Sequence, residues 1–127
     1  YVGISAGSNV ACPTMMTTND MPVVLPSSFQ GFGIVPFQIN PHYHPGSILW
    51  REGDEIIHHF GETRARRIAE FHQHSSVPVI GLFEGSFLRW DGTLATLVGG
   101  AAEIFSVGDT PLRVEHGARL DGSLTTR

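Results

Sequence analysis

The sequence contains no lysine: all eight basic residues are arginine, set against twelve acidic ones for a formal net charge of −4. The arginines are scattered rather than gathered into a stripe, so the electrostatic footprint of a nucleic-acid binder is missing. Cysteine is nearly absent as well. Cys12 stands alone, which rules out an intrachain disulfide and any Cys-x-x-Cys zinc or redox pair, and points to a reducing, cytoplasmic setting. No window approaches the roughly 18 apolar residues of a membrane span, and no basic stretch leads into an apolar one as in a secretory leader. A soluble protein with no nucleic-acid and no membrane partner is the expectation.

What is present suffices for one core. A chain of 127 residues, 41% of them hydrophobic, falls within single-domain size. Tyr1-Val2-Gly3-Ile4 reads as the end of a buried strand, followed by a sharp turn over small residues and a short helix stopped by Pro13. Pro22 to Leu25 and Gly33 to Ile39 are β-branched, apolar runs between Gly and Pro punctuation and predict short strands. Asn40 to Gly61 has no sustained period and predicts an ordered loop, with a short helix at Asp54 to Phe60. Ala65, Ile68, Ala69 and His72 recur at helical spacing and predict an amphipathic helix from Thr63 to about His74. Further strands are expected at Val77 to Phe83, at Ser86 to Trp90 and Thr93 to Val98 around an Asp91-Gly92 hairpin turn, and at Ala102 to Val107 and Leu112 to Glu115. The tail from His116 is Gly-rich and polar and reads as frayed at its end.

The sharpest chemical feature is Gly3-Ile4-Ser5-Ala6-Gly7, the G-x-S-x-G pattern of a nucleophile elbow. In such a turn the serine hydroxyl is lifted off the end of a strand, flanking glycines avoid Cβ collisions, and the next backbone N–H, here that of Ala6, stabilises an oxyanion. A serine needs a base, and seven histidines are available. His42 stands out because it follows a predicted strand through Asn40-Pro41, at the strand end where α/β folds place site residues. His72 and His74 suit a helix end for structural reasons, and His58-His59 suit a loop surface. Asp20, in a polar loop after the first helix, and Glu84, at the end of the strand Val77 to Phe83, are both placed to orient the base, and the pattern does not choose between them. His42-Tyr43-His44 and His72-Gln73-His74 also read as His-x-His metal pairs, but the second lies on a predicted helix, where i and i+2 diverge. Cys12 has no basic neighbour and reads as a small buried hydrophobe.

Five blocks, Gly3 to Thr14, Thr17 to Pro22, Gln38 to His42, Gly61 to Arg64 and Gly81 to Gly85, together resemble peptidase E. That family comprises α-aspartyl dipeptidases, serine peptidases of flavodoxin-like α/β fold related to class I glutamine amidotransferases. The resemblance implies Ser5 as nucleophile, His42 as base, and either Asp20 or Glu84 as the third member. It also implies Arg64 as the residue that binds the substrate's aspartyl side chain, a role suited to the guanidinium fork. The implied activity is hydrolysis of dipeptides with an N-terminal aspartate, with no metal or organic cofactor and with a small Asp-X peptide as the partner; a homodimer is one assembly open to it. The rivals are a cyanophycinase-like or other acyl-transfer hydrolase on the same scaffold, a catalytically silent binding domain, and a His-rich metal protein.

Two departures follow from the resemblance. The segment from His42 to Gly61 looks longer than the family pattern. The family also carries an N-terminal half upstream of the elbow, including a Gly-rich loop that supplies a second oxyanion donor. Residues 1–127 are therefore expected to form the C-terminal part of one flavodoxin-like three-layer peptidase domain, with a C-terminal hairpin and strand region, and to need an N-terminal segment to fold and act.

Overall fold

The structure is a computed structural model that describes residues 1–21, 23–46, 49–58 and 62–125. Tyr1 to Ile4 are irregular rather than strand, and Tyr1, Val2 and Ile4 are exposed. A short helix, α1 (Ala6–Val10), follows and ends at the Ala11 cap, just short of Pro13. The chain then loops back, and the N–H groups of Phe32, Gly33 and Ile34 donate to the carbonyls of Val10, Cys12 and Ala11 at 2.8–3.0 Å.

That return explains one difference from the expected strands. Backbone groups of residues 32–34 bond to the end of α1, so the strand expected from Gly33 starts only at Gln38 and runs on through Pro41 as β1 (Gln38–Tyr43). Val23 to Leu25 form no strand and are exposed, and Pro22 lies outside the described residues. The β-branched Val23 and Val24 pair with no strand among the described residues, and β-propensity without a pleated surface to pack on does not make a strand. The predicted loop also differs. It holds a hairpin, β2 (Leu49–Glu52) and β3 (Glu55–His58), turning at Gly53-Asp54 with Gly53 at φ 63°. The short helix expected from Asp54 is replaced by β3 as far as His58; His59 and Phe60 lie outside the described residues.

The helix expected after Thr63 is present as α2 (Arg64–Phe71), capped by the Thr63 hydroxyl, which accepts from the Arg66 N–H at 3.2 Å. Its buried face is Ile68 and Phe71, with Ala65 packed beside them; Ala69 is exposed rather than core. Six further strands follow: β4 (Val79–Phe83), β5 (Ser86–Trp90), β6 (Leu94–Gly99), β7 (Ala101–Phe105), β8 (Leu112–Glu115) and β9 (Arg119–Asp121). The Asp91-Gly92 turn forms, with only Gly92 at positive φ (100°). Asp91 serves it through its carboxylate, which accepts from the Thr93 and Leu94 N–H groups at 2.9 and 2.8 Å. Within the tail β9 pairs with β6 and buries Leu120 fully, and the last two residues, where fraying is expected, lie outside the described residues.

The strands make a four-stranded sheet in the order β1-β4-β7-β8, a three-stranded sheet β5-β6-β9, and the β2-β3 hairpin. In the larger sheet β1 and β4 are parallel and the other pairs antiparallel. Successive residues of a strand point to opposite faces, and Val79 and Ile80 divide accordingly, as do Phe105 and Ile104. Val79, Phe105 and Tyr43 pack on Ile68 and Phe71 of α2. Ile80, Ile104, Ile39 and Val114 pack toward Ala95, Leu97 and Leu120 of the second sheet. The result is a mixed α/β fold with a helix on one face of the main sheet and a smaller sheet on the other.

Candidate active site

Parallel pairing of β1 with β4 puts the carboxyl ends of both strands side by side, with Tyr43 opposite Phe83. The residue before Tyr43 is His42, and the residue after Phe83 is Glu84. The β1 register slips between Asn40 and Tyr43, and His42 sits in that irregularity at φ 54°. Bulges of this kind re-aim side chains at strand ends. Here the His42 Nδ1 meets the Glu84 Oε1 in a hydrogen-bonded contact, with both side chains open to solvent.

Ser5 arrives from the other side. It occupies the N-cap of α1 at φ 53°, ψ −119°, and its hydroxyl makes no capping bond. The N–H groups of Gly7 and Ser8 turn back onto the carbonyls of Ile4 and Ser5 at 2.9 Å each. A Cβ at Gly3 would lie 2.5 Å from the Gly7 carbonyl oxygen, so the first glycine of the pattern has no room for a side chain, whereas a Cβ at Gly7 would meet only the Tyr1 hydroxyl, at 3.8 Å. Positive φ in a non-glycine residue costs of order 1–3 kcal/mol and persists where surrounding structure imposes it. Among the described residues three non-glycines adopt it: Ser5, His42 and Leu124.

Ser5, His42 and Glu84 all line one cavity of about 650 Å³. Its floor is apolar, built from Phe37, Ile39 and Leu82, with Trp90 edge-on to Phe37 at 5.6 Å. Ala6, Asp20 and Arg64 are not in its wall. The Asp20 carboxylate instead accepts from the Thr18 hydroxyl at 3.2 Å. Arg64, on the first turn of α2, has its Nε buried with no hydrogen-bond partner among the described residues. Burial and then the neighbouring Arg67 push its guanidinium below its ordinary pKa, while Asp20 and Glu84 draw it back up. That set of influences places Arg64 within electrostatic reach of both candidate acids.

The remaining candidates fall elsewhere. His72 bonds the Val77 carbonyl at 3.2 Å, and His58 lies exposed on the β2-β3 hairpin. No group of three or more His, Cys, Asp or Glu gathers among the described residues in a way that could hold a metal ion. No helix among them is long and apolar enough to cross a membrane. Cys12 is fully buried, and burial pushes its thiol up to about 12, which leaves it protonated and unreactive at neutral pH.

Residues 1–98 match the model of peptidase family S51. The chain belongs to that family. It is 47% identical over 131 residues to a peptidase E of Streptomyces coelicolor, covering all of this chain and 50% of that protein. It is 47% identical to a peptidase E of Nostoc over 78% of the chain and 38% of that protein, and 46% identical to a probable alpha-aspartyl dipeptidase of Drosophila melanogaster over the same shares. The S51 chain thus spans half or less of the length of these curated relatives.

Within this S51 chain, the positive φ of His42 was not read from the sequence. Pro41 in an otherwise strand-like run is the signal for it, because proline inside a sheet is confined to edges and bulges. The polar side chains that hold β1 from outside, Asn9, Thr17 and Asn19, were missed too; short side chains that bond a strand edge have no periodicity to betray them.

Proposed function

We propose that the protein is a serine-type dipeptidase that hydrolyses peptides bearing an N-terminal aspartate through an acyl-enzyme. The observation that carries this reading is the convergence of two strained residues, Ser5 and His42, on one cavity, with Glu84 on the far nitrogen of the imidazole. Ser5 Oγ attacks the aspartyl carbonyl carbon while His42 Nε2 removes its proton. The tetrahedral oxyanion is held by the Ala6 N–H at the elbow, one such donor being worth roughly 10²–10³ in rate. Collapse breaks the C–N bond, with His42 returning the proton to the leaving amine. Water, deprotonated by the same imidazole, then cleaves the ester and releases aspartate.

The contact between His42 Nδ1 and Glu84 supports Glu84 as the acid that fixes the tautomer; Asp20, bonded to Thr18, stands as the alternative. The Nε of Arg64, without a partner among the described residues, and the depression of its pKa support it as the residue that receives the substrate's side-chain carboxylate, since a bidentate carboxylate would satisfy the guanidinium that burial disfavours. The cavity's exposed rim at Tyr1, Val2 and Ile4 supports a second element of the proposal. In the working enzyme an N-terminal segment completes the flavodoxin-like sheet beside these residues and brings the other oxyanion donor. The single buried thiol is in keeping with a cytoplasmic enzyme.

The test is turnover by the full polypeptide of an α-linked Asp-X dipeptide beside Asn-X and β-linked Asp-X. The proposal expects α-Asp-X alone to be cleaved rapidly, with Ser5→Ala reducing that rate by about 10⁶. Preferential cleavage of the β-linked peptide, or retention of most activity in Ser5→Ala, would overturn it.

A further inference from the structure

Among the described residues β1 stands at the end of the order β1-β4-β7-β8 and pairs with a strand on its β4 side only. The Gln38 N–H points toward the β4 side, donating to the Pro78 carbonyl at 2.9 Å. In a parallel ladder alternate residues turn their backbone groups to the same side. Asn40 therefore shares the β4 side, while Ile39 and Pro41 present their carbonyls to the opposite side. Pro41 has no N–H to leave unpaired there, which is why a proline is tolerated at this position.

Side chains from the segment around and after α1 occupy that side. Asn9 Nδ2 and Thr17 Oγ1 donate to the Ile39 carbonyl at 2.8 and 2.9 Å, and Asn19 Nδ2 donates to the Pro41 carbonyl at 2.8 Å. The Asn40 amide then crosses back, donating to the Thr17 carbonyl at 3.0 Å and to Asn19 Oδ1 at 2.7 Å. Asn40 itself is 1% exposed, so its Nδ2 is committed to these partners, while its Oδ1 is buried with no hydrogen-bond partner among the described residues. The Asn19 side chain thus uses both ends, accepting from Asn40 and donating to Pro41. The Pro41 carbonyl it holds belongs to the peptide unit that joins Pro41 to His42.

We infer that Asn19 is a positioning residue for His42. A histidine at φ 54° is not held there by its own preference, and rotation of the preceding peptide is the motion that would relax it. The Asn19 N–H fixes that peptide from the side away from β4 while Tyr43, packed on Phe83 and Phe105, anchors the residue beyond. His42 is thereby held at the cavity wall it shares with Ser5. The inference rests on the reading of Ser5 and His42 as nucleophile and base.

Two variants of the full polypeptide test it, with kcat expressed per active site by titration so that loss of folded protein does not count. Asn19→Asp keeps the oxygen that accepts from Asn40 and removes the N–H given to Pro41; Asn19→Ala removes both. Misplacement of a catalytic group by about 1 Å costs on the order of 10²-fold. Both variants are therefore expected to lose roughly 10- to 100-fold in kcat on Asp-X, with KM changed by less than about 3-fold. Wild-type kcat per site in Asn19→Asp, or a change confined to KM or to thermal stability, would overturn the positioning role. Ser5→Ala measured alongside separates the two claims: its loss of activity together with unaltered Asn19 variants defeats the positioning role alone, whereas its retention of activity defeats the nucleophile assignment beneath it.

Discussion

Ser5 and His42 hold nearly the same unusual backbone angle, φ 53° and 54°, and line the same cavity although they are brought there by unrelated elements, a helix N-cap and a strand bulge. Strain of this kind costs of order 1–3 kcal/mol per residue and is retained where the surroundings over-determine it. At Ser5 the surroundings are the absent side chain of Gly3 and the turn of α1. At His42 they are the parallel pairing with β4 and the amides that bind the β1 edge.

Glu84 and Asp20 are distinguished by their partners: the first meets His42, the second Thr18. Glu84→Gln is expected to lower kcat on Asp-X by about 10²–10⁴, the range a correctly oriented general base contributes, with little change in KM. Asp20→Asn should cost less than a tenth of that loss. Steady-state kinetics on the two variants decide it, and the reverse ranking would make Asp20 the orienting acid.

The Arg64 guanidinium is expected to distinguish aspartate from asparagine at the substrate's N-terminus. Arg64→Ala should raise KM for Asp-X and cut kcat/KM by about 10²–10³, in keeping with the loss of one partner of a desolvated charge pair. Arg64→Lys should recover only part, because an ammonium cannot reproduce the bidentate fork. The ratio of kcat/KM for Asp-X and Asn-X measures this directly, and an unchanged ratio in Arg64→Ala would contradict it.

Gly81 shows how tightly the sheet is packed beneath the site. A Cβ there would lie 2.6 Å from Cγ of Tyr43, whose ring is wedged between Phe83 and Phe105 and whose hydroxyl bonds Glu103 at 2.8 Å. Gly81→Ala is expected to destabilise by about 1–3 kcal/mol, as overpacking does. Gly46→Ala, with nothing within 4 Å, serves as the neutral control. Thermal or urea unfolding of the two variants provides the comparison.

Asp91 links the β5-β6 turn to pH. Hydrogen bonds from the Leu94 and Thr93 N–H groups and then from the Thr93 hydroxyl hold its carboxyl at about 2, below the ordinary 3.8. Because the folded value is the lower one, the stabilisation is fully present above pH 3.8 and is lost as the pH falls through about 2. Asp91→Ala should flatten the fall in unfolding midpoint across that window relative to wild type. An identical acid slope in the variant would contradict this.

Sequence and structure agree where the pattern is strong and local. The helix after Thr63, most of the run expected at Val77 to Phe83, the run at Leu112 to Glu115, and the Asp91-Gly92 turn could be read because each carries its own local signal. Disagreement arises where a partner decides. Val23 to Leu25 have strand composition and no strand, Gly33 to Val35 bond back to the end of α1 rather than extend, and the Gly53-Asp54 hairpin lies inside what reads as a loop. Gly-Asp between two short runs is itself a hairpin signal, outweighed in the reading by the polar residues on both sides. Ser5, His42 and Glu84 were named from motif and strand-end position, but their common cavity depends on the β1-β4 register and the bulge at His42, which no local pattern encodes.

The central claim is that Ser5 is a nucleophile activated by His42. Treatment of the full polypeptide with a fluorophosphonate, followed by intact-mass and peptide-level mass spectrometry, tests it most directly. One adduct is expected, located on Ser5, formed together with loss of Asp-X hydrolysis and absent in Ser5→Ala and in His42→Ala. Inactivation with the adduct on another residue, or labelling of Ser5 at the same rate in His42→Ala, would contradict it.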